Sequence, residues 1–130
     1  MKITNVETYV LLADNYDPNL TSSAQDTCLV IIKTDEGIEG YGECDTSPWV
    51  AKAFIESPGT HTMDQCVKDI LIGTDPLDIN KLWSKIYFGT AMTGRRGAGV
   101  NALSAIDMAL WDIKGKYENK PVYELMGGKK

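Results

Sequence analysis

Residues 99–117 read G-V-N-A-L-S-A-I-D-M-A-L-W-D-I-K-G-K-Y, and this stretch decides the fold. Val100, Leu103, Ile106, Leu110, Ile113 and Tyr117 recur at spacings of three and four, which makes one apolar stripe on an α-helix. Ala102, Ala105, Met108, Ala109 and Trp111 lie off the stripe and are also apolar. A helix apolar on most of its circumference is packed from several sides, and its alanines let neighbouring backbones come close. The stretch is therefore expected to be the spine of a domain. Asn119 offers a left-handed stop, and Pro121 forbids continuation because it lacks an N–H and restricts the residue before it.

Composition bounds what the spine serves. A chain of 130 residues is the size of one domain and long enough for a real core. Its 43% hydrophobic and 24% charged residues are ordinary for a soluble globular protein. No apolar run approaches the roughly 20 residues that span a bilayer. A net charge of −5 argues against nucleic-acid binding, which needs a basic face. The N-terminus has no apolar signal core, and Cys28, Cys44 and Cys66 are odd in number without C-x-x-C spacing. Reduced thiols in a cytoplasmic protein are expected. With His61 as the sole histidine, a zinc cluster is not expected.

Ahead of the spine, residues 2–13 alternate as a strand, with Val6, Thr8, Val10 and Leu12 on one face and Glu7, Tyr9 and Leu11 on the other. Residues 14–26 form a polar loop with one aromatic, Tyr16. Residues 27–34 make a second strand whose Leu29-Val30-Ile31-Ile32 run is apolar on both faces, as a central, most buried strand would be. Asp35-Glu36-Gly37 is a tight turn into a third strand, residues 38–44, where Gly40 and Gly42 share one face and leave room for a close neighbour. Pro48 opens a short helix. Thr62-x-x-Gln65 matches a capping box, before a helix burying Met63, Cys66, Val67, Ile70 and Leu71. Asp75-Pro76 is expected to start the next helix, with Ile79, Leu82, Trp83, Ile86 and Tyr87 on its apolar face. Three strands followed by helices, without β-α-β alternation, predict an α+β fold: a three-stranded antiparallel meander followed by a bundle of three to four helices.

Groups able to do acid–base chemistry are few. Glu43 and Asp45 stand where the third strand runs into a loop, but lack the spacing of a divalent-metal loop. T-G-R-R-G-A-G, residues 93–99, lacks the G-K-[ST] ending of a phosphate loop, so Arg95 and Arg96 read as surface charges or contacts to a carboxylate ligand or partner domain. Asp107 and Asp112, inside the spine, are expected to be structural, with Asp107 bonded to backbone or to an Arg or Lys. The cysteines read as small buried hydrophobes.

S-A-I-D-M-A-L-W-D-I-K-G-K followed by P-V-Y-E-L-M-G-G resembles the end of the N-terminal capping domain of enolase-superfamily enzymes, in the mandelate racemase/muconate lactonizing enzyme branch. K-I-T-N-V-E, T-D-E-G-I-E-G-Y-G-E and G-T-D-P-L-D-I-N-K-L-W match in the same order, so the resemblance covers nearly all of the chain. It implies that the loops after the first and third strands close over a separate (β/α)-barrel, making Tyr16, Ser47 and Trp49 substrate-capping candidates, with Glu43, Asp45, Arg95 and Arg96 weaker ones. It further implies residues 1–126 as the lid and 127–130 as the start of a linker to a barrel that takes roughly 200 or more residues. That barrel would hold Mg²⁺ and the base that removes a proton α to a carboxylate, so this chain is expected to be inactive alone and to hold no metal. R-R-G-A-G and D-T-S-P-W resemble the acid-sugar dehydratase members. The alternatives are a racemase or cycloisomerase of the same branch, or a free-standing non-enzymatic binding module. The implied partners are the chain's own barrel domain, a small sugar acid and further copies in a homo-oligomer, with no nucleic acid or membrane.

Overall fold

A computed structural model describes residues 1–21, 25–45 and 47–128. Residues 22–24 of the expected polar loop, Thr46 of D-T-S-P-W and residues 129–130 of the expected linker lie outside the described residues. The element order is β1 (Ile3–Leu12), β2 (Asp26–Thr34), β3 (Glu39–Cys44), α1 (Pro48–Glu56), α2 (Val67–Leu71), α3 (Ile79–Gly89), α4 (Ala98–Glu118) and α5 (Val122–Leu125). The expected meander is present: one antiparallel sheet in the order β1-β2-β3, with all helices after it.

The core lies between one face of the sheet and the helices. Val6 of β1 and Cys28, Val30 and Ile32 of β2 point inward, against Ala51 and Ile55 of α1, Leu71, Ile86, and Ile106, Leu110 and Ile113 of α4. Burying each large aliphatic side chain stabilises the fold by about 1.5–3 kcal/mol. β2 is central, but only its inward face is fully buried; Leu29 and Ile31 on the other face are half-covered. The doubly buried strand expected from the sequence is thus half realised, because no element of the described residues packs on the outer face.

The spine is α4, and it packs on β3, β2, α1, α3 and α5. Its fit to β3 is backbone to backbone. A Cβ on Gly42 would fall inside the Ala105 carbonyl oxygen, and one on Gly40 inside that of Ala109. Further along, the β3 edge is closed by α4 side chains. Tyr41 N–H donates to Asp112 Oδ2 at 2.9 Å, and Lys116 Nζ donates to the Glu39 carbonyl at 2.7 Å and to Asp112 at 2.6 Å. Edge groups that would otherwise recruit another strand are thereby occupied. Asn119 ends the helix in the left-handed region at φ 51°, as its position before Lys120-Pro121 predicts. Tyr117, placed on the stripe by periodicity, is exposed.

Three local expectations are corrected. Thr62 and Gln65 make no capping box: Gln65 Nε2 donates to the Thr62 carbonyl, His61 pairs with Asp64 in a bridge, and α2 begins later, at Val67. Met63 is consequently exposed. Asp75-Pro76 forms a turn rather than a helix start; Asp75 Oδ1 accepts from Leu77 N–H at 2.9 Å, and α3 starts at Ile79. The turn follows Thr74, whose carbonyl accepts from Ile3 N–H, so the start of β1 holds this segment.

The Gly42 contact yields a direct test. The substitution G42A should cost about 2–3 kcal/mol, because Cβ and the helix carbonyl cannot share the space and strand and helix must part. Urea denaturation reads this directly, and unchanged stability would mean that α4 does not seat on β3.

Candidate functional site

Three connections gather at one end of the domain. Leu12, the last residue of β1, pairs with Asp26, the first of β2, and Cys44, the last of β3, lies opposite Cys28. The β1–β2 loop and the segment after β3 therefore leave from the same end of the sheet. Since Gly42 faces Ala105 and Gly40 faces Ala109, α4 runs antiparallel to β3. Its N-terminus at Ala98, with Arg95 and Arg96 immediately ahead, consequently lies at that end too.

Each connection is built differently. In the β1–β2 loop, Ala13 N–H donates to the Gln25 carbonyl at 2.7 Å and Asp17 N–H to Gln25 Oε1 at 2.8 Å, while Gln25 Nε2 returns a bond to the Asp17 carbonyl at 3.1 Å. Asn19 closes an Asx turn on Asp17 Oδ1. Tyr16 and Leu20 are left 51% and 58% exposed, so the loop's apolar side chains are not anchors to the domain's own surface. After β3, Ser47 takes φ 39°, a left-handed conformation that costs a non-glycine residue about 1–3 kcal/mol. Its carbonyl accepts from Val50 and Ala51 N–H, starting α1. Pro48 is thereby buried, while Trp49 is turned outward, 59% exposed.

A cluster of polar groups fastens α1 to β1. Lys52 Nζ donates to the Thr8 carbonyl and Thr8 Oγ1, both at 3.0 Å, and to Glu56 Oε1 at 2.8 Å, and Thr8 Oγ1 also donates to Glu56 Oε1. Burial pushes the Glu56 carboxyl up, but the bonds from Lys52 and Thr8 outweigh it and hold the pKa below the usual carboxylate range. The sequence reading missed this cluster; its signals were Thr8, a polar residue on the inward face of β1, and the i,i+4 spacing of Lys52 and Glu56.

A cleft of about 430 Å³ opens beside these connections, between Leu11, Leu12 and Ala13 on one side and Thr27, Glu43 and Asp45 on the other. Glu43 Oε2 accepts from Thr27 Oγ1 at 2.7 Å, which ties it across the sheet, and Asp45 is exposed. A second cleft, of about 580 Å³, lies at the entry to α4, between Tyr87, Met92 and the two arginines. Arg95 and Arg96 are exposed and form no ion pair among the described residues. Of the candidates, the structure therefore brings Tyr16, Ser47, Trp49, Glu43, Asp45 and the arginines to one end of the domain, on three separate connections.

Other candidates resolve as structural. Cys28 and Cys44 are buried opposite each other; a hydrogen bond between their side chains and burial push the Cys28 thiol up, so it stays protonated and inert. Asp107 departs from expectation: among the described residues it has neither the backbone nor the Arg/Lys partner foreseen, and burial pushes its carboxyl up. Among the described residues no three His, Cys, Asp or Glu side chains group so as to hold a metal ion. No helix of the described residues is long and apolar enough to cross a membrane.

A three-stranded meander followed by helices, with its loops gathered at one end, is an α+β arrangement of the kind found in enolase-superfamily N-terminal domains. The chain belongs to the mandelate racemase/muconate lactonizing enzyme family: residues 12–127 match the model of that family's N-terminal domain. It is 39% identical over 100 residues to an arabinonate dehydratase of Saccharolobus solfataricus, covering 76% of this chain and 25% of that protein. It is 37% identical over 134 residues to a D-galactarolactone cycloisomerase of Agrobacterium fabrum, covering 99% of this chain and 33% of that protein. Among solved structures, an enolase of the mandelate racemase subgroup from Agrobacterium tumefaciens superposes with a TM-score of 0.76 at 34% identity, over 98% of this chain and 30% of that one. The chain thus spans a quarter to a third of the length of these relatives.

The polar cluster carries a pH prediction. A carboxyl whose folded pKa is lowered adds stability above its unfolded pKa and loses it as pH falls through the folded value. The substitution E56Q should therefore destabilise the chain at neutral pH, and the gap from the parent should close on acidification into the carboxylate range. Thermal melts of both across that range check this; a gap independent of pH would mean that the Glu56 charge adds nothing.

Proposed function

We propose that residues 1–126 form the capping domain of a larger enzyme, with residues 127–130 beginning the link to a C-terminal (β/α)-barrel. One observation carries the reading: the connections after β1 and β3 leave the same end of the sheet and present Tyr16 and Trp49 to solvent rather than to the core. Exposed aromatics at a loop-lined end suit closure over a ligand, where they exclude water and fill the space around it. The relatives are three to four times as long and include acid-sugar enzymes, which supports a second domain and a sugar acid as substrate.

The reaction we propose for the whole protein is proton abstraction α to a carboxylate followed by dehydration, in a cytoplasmic, homo-oligomeric enzyme. Mg²⁺ has no ligand set among the described residues, and in this reading its site belongs to the second domain, where it would stabilise the charge left by proton removal. This chain's own contribution is positioning: Trp49 at a fixed point on the rigid start of α1, Tyr16 on the self-contained β1–β2 loop, Ser47 setting the direction of Trp49. Glu43, Asp45, Arg95 and Arg96 border the same end and are secondary candidates for the substrate's hydroxyls and carboxylate. A cycloisomerase is the second reading, because the cycloisomerase relative aligns over 99% of this chain. A free-standing binding module is the reading from another class.

The test is the gene beyond the codon for Lys130 and the activity of its full product on a panel of sugar acids and lactones. Dehydration of a sugar acid, abolished by chelation, is expected; turnover of a lactone instead selects the cycloisomerase, and a stop codon directly after Lys130 sinks the capping reading. In the full protein, W49A and Y16A should each lower kcat/KM about tenfold, equivalent to about 1.4 kcal/mol, with the fold intact by circular dichroism. Mg²⁺ should leave the melting temperature of the 130-residue chain unchanged, since only a ligand of the folded state raises it.

A further inference from the structure

Two aspartates on α4 have opposite surroundings. Asp112 accepts from Tyr41 N–H and Lys116 Nζ. Asp107 is half-buried, yet among the described residues it receives no hydrogen bond and no cation. It lines a groove of about 310 Å³ whose other walls are Met108, Trp111, Val122 and Met126. The cation nearest along the helix, Lys114, is engaged elsewhere, 5.1 Å over the Trp111 ring. Met108 and Met126 are 43% and 68% exposed, so the rim is apolar, adaptable and uncovered.

Resting on the capping reading above, we infer that this groove is where the second domain seats on α4, and that it seats there by placing a basic side chain against Asp107. The chain leads to the spot: α5 and Met126 form one wall, so whatever follows leaves from the groove's rim. The relatives carry two thirds or more of their length outside the matched part, which supplies an occupant of domain size. Charge selects its chemistry. A purely apolar cover would take a carboxylate out of water unpaired, which is strongly unfavourable, whereas an Arg or Lys converts the same burial into a paired contact. Arg suits it best, since its planar fork binds a carboxylate bidentately and stacks on Trp111.

The experiment uses the full-length gene product. Labelling of D107C by iodoacetamide should be about tenfold slower than labelling of D78C, because a covered thiol reacts only when the interface opens, and Asp78 is an exposed residue of a surface ion pair. M108C, on the same rim, reports the covering if D107C does not fold. In urea, D107R should lower the midpoint more than D107N, and D107N more than D78N. Equal labelling at the two sites overturns the seating, and D107R as stable as D107N overturns the basic partner. If K129A/K130A reproduces the loss seen in D107N, the cation is the chain's own and the contact with the second domain is overturned. A product lacking a second domain overturns both this contact and the capping reading, whereas a second domain with Asp107 uncovered overturns only the contact.

Discussion

The approach of α4 to β3 is the constraint on which the rest of the molecule depends. Two glycines on alternate positions of one strand remove the side chains that would hold a helix away, and two alanines a turn apart present bare backbone to them. Once Gly40 and Gly42 are seated on Ala109 and Ala105, the direction of α4 relative to the sheet has no freedom left. The polar contacts of Asp112 and Lys116 with the β3 edge continue the same line and fix the helix against sliding. Everything else is arranged around this pair: α1 and α3 fill the remaining core face, and the N-terminus of α4 is delivered to the end of the sheet where the loops emerge.

That geometry was legible in the sequence because it is local in kind. The 3.6-residue period of residues 99–117, the Gly-x-Gly spacing and the Asn119–Pro121 stop each depend on neighbours a few positions away, and each is found. The failures share a cause. Thr62-x-x-Gln65 has the right residues for a cap, but Gln65 N–H is held by the Gly89 carbonyl at the end of α3, and the segment turns into a bridge instead. Asp75-Pro76 has the right residues for a helix start, but the chain there is tied to Ile3. In both cases a contact distant in sequence overrode a valid local signal.

The candidate site was less legible for the same reason. The expected antiparallel meander already sends the connections after β1 and β3 out of the same end of the sheet, but the order of residues does not say that Tyr16 and Trp49 are turned outward there; the structure says so. The Thr8–Lys52–Glu56 cluster joins Thr8 to an i,i+4 pair more than 40 positions away, and that long-range link is what the order of residues does not reveal. Asp107 was misjudged because a half-buried carboxylate usually finds a partner within its own domain. Here the described residues offer none, and Asp107 stays open to water on the rim of the groove formed with Met108, Trp111, Val122 and Met126.

The two outward aromatics are not equivalent, and the difference follows from their bonds. Trp49 stands on the first turn of a helix whose next turn is fastened to β1 by three polar groups, with Pro48 buried beside it; it can move only with the core. Tyr16 stands on a segment whose described hydrogen bonds run either within itself or to Gln25 at its base. A segment bonded mainly to itself shifts as a unit without breaking core contacts, and such units belong to the low-stability end of a fold. In the capping role we propose, Trp49 would supply a fixed wall and the segment carrying Tyr16 an adjustable one. The fixed wall would give a ligand a constant reference surface, while the adjustable wall would take up differences in ligand shape, so that ligand choice would change with the segment between β1 and β2 and leave the α4–β3 seat as it is.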